Sequence, residues 1–359
     1  MRVFISDCEG PISKNDNAFE TASNFVPNGD RLFTVTSRYD DVLADVLRRR
    51  GYKAGDTLKL ILPFLKAYNV TDRKMREFSA KHLVLIPDAK KSLQHVRDIT
   101  RAFIISASYE HYMKALCHAI EFPFEDTYCT RFSIDKYTTT EKEKTRLKQI
   151  AQEISQMPTI ELPPHAKSIK DLSEGDQKTI HKLDEIFWKE IAKMSLARIY
   201  SEVVPVGGSE KADAVKDIVH KRHITLADTM YVGDSITDEE AFKLVRKNGG
   251  LTVSFNGNEH AIKAAEIAVL SENSTVTAII ADTFIKSGKQ DALNLAESWS
   301  RESLKKSSAD QRLLTHLLRL YPSLLPKVKI IARENMEILA EESSEFRKKV
   351  RGEAIGRLG

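Results

Sequence analysis

Acidic side chains follow two short apolar runs in this sequence of 359 residues. Asp7 and Glu9 come after the first run, and Asp234 and Asp238 come after one much further along the chain. Carboxylates that meet at close range repel each other and need a cation between them. Because all the donors are oxygen atoms, a hard cation such as Mg²⁺ suits them. The four residues therefore predict a magnesium site if the fold brings the two runs together.

A hydroxyl and an ammonium group accompany these carboxylates. Ser106 follows the apolar run 103–105, and Lys211 lies at the start of a predicted helix, 210–221, that precedes the Asp234 run. A carboxylate beside a hydroxyl, an ammonium and Mg²⁺ has the parts that phosphoryl transfer requires: a nucleophile, positive charge for the phosphate oxygens and a donor to orient them. Lys216 lies on the same predicted helix, where an ordinary surface lysine is the alternative interpretation.

Short apolar runs that alternate with helical segments predict the scaffold. The predicted strands cover 2–6, 103–105, 229–232, 251–255 and 266–270, and helices over 210–221 and 238–246 lie among them. This alternation is typical of an α/β fold with a doubly wound, mainly parallel sheet. In such open sheets ligands bind outside the carboxyl ends of the strands, which is where the candidate residues are expected.

The chemistry-bearing segments resemble the four motifs of the haloacid dehalogenase superfamily. The segment DCEG at 7–10, Ser106, Lys211 and the segment GDSITD at 233–238 occur in the order that this family uses. The similarity spans roughly residues 1–285, apart from an insertion. Phosphoserine-phosphatase-like members are the nearest comparison, because they also place a helical cap between the first two motifs. The chain also resembles a small archaeal group described as subunit R of energy-converting hydrogenase A.

This resemblance implies catalytic roles for four residues. Asp7 would attack the phosphorus atom and become an aspartyl phosphate, and Glu9 would protonate the leaving oxygen and then activate water. Ser106 would hydrogen-bond the phosphoryl group. Lys211 would neutralise the nucleophile and the phosphate. The expected activity is that of a phosphatase acting on a small phosphorylated metabolite, and a phosphotransferase or phosphomutase would use the same residues.

The resemblance also implies a Mg²⁺ cofactor and a set of substrate contacts. The implied metal residues are Asp7, Glu9 through its backbone carbonyl, Asp234 and, directly or through water, Asp238, and the implied substrate-binding residues are Gly10, Asp16 and Ala107. Asp16 matches the cap acid that reads the substrate's amino group in phosphoserine phosphatases. The sequence Asn-Asp-Asn at 15–17 also makes an ordinary turn, which is the alternative for Asp16.

The motifs depart from the common family pattern at two positions. Glu9 stands where most members carry Asp, so its carboxyl group lies one methylene further out. Some phosphatases of the superfamily do read D-x-E-G, and the acid–base role is therefore expected here as well. Pro11 stands where Thr or Val is usual, and its missing N–H removes one potential donor.

The segments between the motifs predict four parts of the chain. A Rossmann-like three-layer core is expected over 1–12, 96–130 and 203–284, and a helical cap over 13–95. Residues 131–202 are dense in Lys, Glu and Asp and are expected to form a mostly helical insertion, either a second cap or an arm. Residues 285–359 are expected to form a helical C-terminal extension, with Pro322 and Pro326 dividing two helices.

Composition restricts the class of protein. The net charge is only +4, although residues 285–359 hold 15 Lys and Arg against 10 Asp and Glu. This mild imbalance is no strong nucleic-acid signal. No apolar run approaches the length of a membrane span, and the three cysteines form no CxxC pair. We therefore expect a soluble cytoplasmic enzyme that does not insert into membranes. The alternative is a non-catalytic or weakly catalytic subunit that docks to a larger complex through its insertion and C-terminal helices.

Overall fold

A seven-stranded sheet forms the centre of the molecule in the computed structural model, which describes residues 1–163 and 166–358. The strand order is β3-β2-β1-β4-β5-β6-β7, and neighbouring strands are parallel except for the antiparallel pair β6 and β7. The strands are β1 (Val3–Ser6), β2 (Arg101–Tyr109), β3 (Thr127–Thr130), β4 (Thr229–Gly233), β5 (Leu251–Phe255), β6 (Ile267–Leu270) and β7 (Lys327–Ile330).

Nineteen α-helices accompany the sheet in the described part of the chain. Eight lie within residues 17–155: α1 (Asn17–Phe25), α2 (Gly29–Asp41), α3 (Thr57–Leu60), α4 (Leu62–Ala67), α5 (Asp72–His82), α6 (Ala89–Ile99), α7 (Glu110–Ile120) and α8 (Glu141–Ser155). Eleven follow: α9 (Glu174–Glu185), α10 (Ile199–Glu202), α11 (Ser209–Arg222), α12 (Glu239–Lys247), α13 (Glu259–Ala264), α14 (Thr275–Ser287), α15 (Lys289–Glu297), α16 (Arg301–Lys306), α17 (Gln311–Leu320), α18 (Met336–Arg351) and α19 (Glu353–Gly356). None of the described helices is both long and apolar enough to cross a membrane.

Side chains that alternate along the strands divide the core into two apolar clusters. In β1, Phe4 contributes to one cluster, whereas Val3 and Ile5 contribute to the other. Helices α6, α7 and α14 to α17 cover the first face, and α11, α12, α13 and α18 cover the second. This period-two alternation places a helical layer on each side of the sheet. The expected three-layer α/β fold is therefore confirmed.

A separate helical unit lies outside these layers and is built from two stretches of the chain. The helices α1 to α5 and the region 132–203 share one apolar cluster, in which Tyr39 of α2 stacks on Phe187 with ring centroids 5.7 Å apart. Helix α8 packs against both α2 and α4. Helix α6, by contrast, contributes Leu93 and Val96 to the sheet's core. The two stretches that interrupt the sheet's connections thus pack together as one body.

The five strands expected from the sequence are all present, and the structure adds two more. Residues after 284 are mostly helical as expected, and Pro322 and Pro326 lie between α17 and α18, but the extension holds more than two helices and also a strand. Five helices, α15 to α19, lie there, and β7 pairs with β6 at the edge of the central sheet. Only one residue of β7, Val328, is buried, since an edge strand covered on one side does not need a continuous apolar run.

A buried carboxylate joins this extension to the rest of the core. Asp282 of α14 is fully buried and lies 2.8 Å from the His95 Nε2 of α6. It also accepts a hydrogen bond from the backbone N–H of Asp310, just before α17, at 2.9 Å, and pairs with Lys286 at 2.8 Å. One side chain therefore connects two core helices to the C-terminal segment.

We predict that Asp282→Asn lowers the free energy of unfolding by about 1–3 kcal/mol. The amide replaces one carboxylate oxygen by an NH₂ group, which cannot accept a hydrogen bond, so a buried donor loses its acceptor. Urea denaturation of both proteins measures the change. Asp291→Asn, at an exposed position on α15, is the matched control and should stay within about 0.5 kcal/mol of the wild type. An equal loss in both variants would contradict the anchoring role.

Candidate functional site

Three neighbouring strands bring the predicted residues to one edge of the sheet. In the register of the sheet, Ser6 of β1 lies beside Ile104 of β2 and Val232 of β4. Asp7 follows Ser6 by one residue, and Ser106 and Asp234 follow their partner residues by two. The carboxyl ends of parallel strands meet at one edge, and the three side chains therefore face the same space.

A buried lysine joins two of the carboxylates. Lys211, in the first turn of α11, donates from Nζ to Asp7 Oδ2 and to Asp238 Oδ1, each at 2.7 Å, and its side chain is fully buried. Burial by itself lowers the pKa of Lys211, but the two carboxylates outweigh burial and raise it, so the ammonium stays charged. The structure thus places Lys211, and not Lys216, beside the acids. Lys216 lies on the exposed side of α11 and pairs with Asp213.

Asp238 is held by five donors of the protein, the most distant being the Ser235 hydroxyl at 3.5 Å. Its Oδ1 accepts from Lys211 and from the Tyr231 hydroxyl at 2.7 Å, and its Oδ2 accepts from the backbone N–H groups of Asp234 and Ser235 at 2.9 and 3.1 Å. These contacts fold the segment after β4 into a tight turn around one carboxylate. Asp238 therefore fixes the position of Asp234 as well as that of Lys211.

Two glycines leave the space that these carboxylates occupy. A Cβ atom on Gly10 would lie 2.1 Å from Asp234 Oδ2, and one on Gly233 would lie 2.4 Å from Asp238 Cγ. Gly10 also has a φ of 107°, a conformation that side chains rarely adopt. Its N–H donates to the Ser13 carbonyl at 2.7 Å. The structure thus gives Gly10 a packing contact with Asp234, where a substrate contact was expected.

The donor set fits a divalent cation. Carboxylate oxygens of Asp7, Asp234 and Asp238 lie within 4.8 Å of one another, and all three residues are buried. Burial, opposed by Lys211 and reinforced by Asp238 and Asp234, raises the pKa of Asp7 to about 8. Burial is the main cause of this shift, and the two neighbouring carboxylates add to it. Carboxylate oxygens are the hard ligands that Mg²⁺ binds in proteins.

A cavity of about 100 Å³ lies over the edge of the sheet. The core contributes Asp7, Glu9, Ser106, Ala107 and the turn 234–237, and the helical unit contributes residues of α2 and of the segment 55–58. The lining from the helical unit comprises Ala18, Phe33, Ser37, Asp40, Asp41, Gly55, Thr57 and Leu58. A cavity closed by two different parts of the fold is the expected place for a small ligand.

Ser106 and Glu9 both line this cavity and have different hydrogen-bond partners. Ser106 is buried, and its hydroxyl donates to the Ser108 hydroxyl at 2.9 Å while it accepts from the Ser108 N–H. Glu9 accepts from the Asn17 N–H at 2.7 Å, and burial and the neighbouring Asp16 raise its pKa well above the ordinary value. A raised pKa favours the protonated form of this carboxyl group, which is the form that a general acid needs.

Asp16 lines the cavity as predicted and also caps a helix. Its Oδ1 accepts from the Phe19 N–H at 2.9 Å, which makes it the N-cap of α1. Asp16 therefore caps a helix and also lies in the lining of the cavity, and its contact with a substrate stays a prediction. Ala107 lies beside Ser106 in the lining, and its carbonyl accepts from the Thr130 hydroxyl at 2.6 Å.

Sequence reasoning missed two arginines in the same cavity. Arg347 and Arg351, one turn apart on α18, both contact Asp234 Oδ2, the latter at 3.0 Å. Each side chain is only 4% exposed. They lie more than a hundred residues after the last motif, on an amphipathic helix with two other basic residues, Lys348 and Lys349. The only signal was two arginines spaced four apart, which a solvated helix face also shows.

Comparison with known proteins agrees with this geometry. Residues 84–280, more than half of the chain, match the family model described as haloacid dehalogenase-like hydrolase. Over 100% of its length the chain is similar to the solved structure of gene product AF1437 from Archaeoglobus fulgidus, with 27% identity, a TM-score of 0.80 and 99% of that chain covered. No curated protein shows significant similarity.

Two solved structures of phosphoserine phosphatase are more distantly similar. The apo form and the substrate-bound complex each share 12% identity with this chain, with TM-scores of 0.42 and 0.43. They cover 80% and 76% of this chain and 99% and 94% of their own. The family assignment does not depend on them, and the resemblance to the archaeal hydrogenase subunit stays a prediction. On the family match across 84–280, the chain belongs to the haloacid dehalogenase-like hydrolases.

Proposed function

We propose that this protein is a Mg²⁺-dependent phosphatase that hydrolyses a small phosphomonoester through an aspartyl phosphate. The observation that carries the proposal is the position of Asp7: its carboxylate lies at the end of β1, contacts the buried Lys211 and lines the cavity. A carboxylate nucleophile needs positive charge beside it, so that a phosphate dianion can approach. Lys211 and the cation that the donor set fits would supply this charge.

The chain's own residues account for both half-reactions. In the first, an oxygen of Asp7 forms a bond to phosphorus, the bond to the leaving oxygen breaks, and Glu9 gives its proton to that oxygen. In the second, Glu9 takes a proton from water, the water oxygen attacks phosphorus, and the bond to Asp7 breaks to release inorganic phosphate. Ser106 would hold a phosphoryl oxygen throughout, and Lys211 would offset the negative charge.

The metal would be held by Asp7, Asp234 and the backbone carbonyl of Glu9, with Asp238 behind them. When bound, Mg²⁺ supplies Lewis-acid stabilisation of the phosphoryl oxygens. Because Asp238 already accepts five hydrogen bonds, we assign it chiefly to positioning Lys211 and Asp234. We infer that the helical unit of α1 to α5 and 132–203 is the cap, because its residues close the cavity over Asp7. Exclusion of water from this space would favour phosphoryl transfer to the enzyme.

We predict that Asp7→Asn reduces p-nitrophenyl phosphate hydrolysis to less than a few per cent of the wild-type rate, since the amide keeps the shape but is not nucleophilic. Circular dichroism should show an intact fold. Asp213→Asn, which removes the same charge at an exposed position on α11, is the control and should keep full activity. A retained rate in Asp7→Asn would remove Asp7 as the nucleophile.

Activity should require Mg²⁺ and be inhibited by excess Ca²⁺, because Ca²⁺ prefers more ligands and a looser geometry. The measurement is the initial rate after dialysis against chelator, followed by titration of each ion. Asp234→Asn should raise the Mg²⁺ concentration needed for half-maximal rate. Full activity in chelator would overturn the metal requirement while leaving the nucleophile untested by that result.

Glu9→Gln should slow turnover by about 10²–10⁴-fold, the usual contribution of a positioned proton transfer. The penalty on the first half-reaction should shrink for p-nitrophenolate, which leaves without protonation, and labelled phosphate should then accumulate on the enzyme. Single-turnover rates across aryl and alkyl phosphates make the comparison. A small penalty that does not vary with the leaving group would show Glu9 to be a structural residue of the loop.

A further inference from the structure

The C-terminal helix α18 contributes a wall of the cavity. It packs over α13, its Ser343 hydroxyl donates to the Gly257 carbonyl at 2.6 Å, and its last turns carry Arg347 and Arg351 to the sheet edge. Both arginines and Leu358 line the cavity beside Asp7 and Ser106. The family match ends at residue 280. This wall therefore comes from a part of the chain outside the matched region.

The two arginines differ in how their donors are used. In Arg351, Nε donates to the Lys14 carbonyl at 3.0 Å, Nη2 to the Asn15 carbonyl, and Nη1 to Asp234. All three nitrogens thus have acceptors, and two of these belong to the loop that leads from β1 into the cap. Arg351 therefore has the contacts of a positioning residue that ties α18 to this loop.

Arg347 has an unused donor. Its Nη1 contacts the carboxylate and the backbone carbonyl of Asp234, the latter at 3.3 Å, and its Nη2 donates to the Leu358 carbonyl at 3.3 Å. Its Nε is buried and has no hydrogen-bond partner. A buried donor of a charged group that lacks an acceptor costs stability. An arginine that lines a ligand cavity and keeps a spare donor is placed to accept an anionic partner.

The charged groups around the cavity indicate which kind of anion Arg347 would bind. Six carboxyl groups line it, from Asp7, Glu9, Asp16, Asp40, Asp41 and Asp234, against the two arginines. The ammonium of Lys211 is already shared between Asp7 and Asp238. A phosphoryl dianion that enters beside the acidic groups of this lining needs a further cation on its own side of the cavity. A guanidinium offers a fork of N–H donors that matches phosphate oxygens.

We propose that Arg347 binds an oxygen of the substrate's phosphoryl group, so that the C-terminal extension supplies part of the phosphate-binding site. The inference rests on the proposed phosphatase function and adds a residue to it. The competing interpretation is that Arg347 only neutralises Asp234 and blocks ligands from the cavity. The two interpretations predict opposite effects of removing the guanidinium.

The test titrates inorganic phosphate, the product, into the full chain at saturating Mg²⁺ by calorimetry. We expect Arg347→Gln to weaken phosphate binding by about 10- to 100-fold, the usual effect of losing a charge-assisted hydrogen bond. Arg347→Lys, which keeps the charge but not the fork, should lie between this variant and the wild type. The KM for p-nitrophenyl phosphate should rise by a similar factor, with a smaller change in kcat.

Lys349→Gln is the matched control, since it removes one positive charge from the same helix at an exposed position paired with Glu272. It should bind phosphate as the wild type does. Equal or tighter phosphate binding by Arg347→Gln would overturn the proposal and show that the arginine only neutralises Asp234 and blocks the cavity. If that variant fails to fold, Arg347→Lys decides: binding as tight as in the wild type overturns the proposal. A wild-type protein with no metal-dependent phosphatase activity would instead overturn the proposed function itself.

Discussion

The site depends on the contact of one buried ammonium with two buried carboxylates. Removing Asp7 and Asp238 from water is costly unless a cation lies between them, and Lys211 meets both at 2.7 Å. Much of the local structure positions these three side chains. The first turn of α11 carries Lys211 to the end of β1, and the N–H groups of the turn after β4 donate to Asp238. Gly10 and Gly233 have no Cβ because the carboxylates lie where it would be.

The sequence predicted the parts of the site that are carried by local patterns. Asp7, Ser106 and Asp234 follow short apolar strands, and parallel pairing of β2, β1 and β4 was enough to bring them together. Lys211 could be chosen over Lys216 only from its place in the motif order. Glu9 and Asp16 were found in the cavity, but their hydrogen bonds to the N–H groups of the helix α1 region follow from the path of the loop.

Other features depend on packing between distant parts of the chain, which no local pattern reports. Strand β7 reads Lys-Val-Lys-Ile between a proline and a polar turn, and only its pairing with β6 makes it a strand. Arg347 meets Asp234 across 113 residues of sequence. The extension was expected to be helical. It also adds β7 to the sheet, packs on both faces and reaches the cavity.

The apolar cluster that the helical unit shares has a mechanical consequence. Four crossings of the chain join this unit to the sheet: two lie between β1 and β2, and two lie between β3 and α11. Because its two stretches share one apolar core, they are expected to move together as a single body. In any opening of the cavity the stretch 132–203 would therefore travel with the residues of α2 that face Asp7.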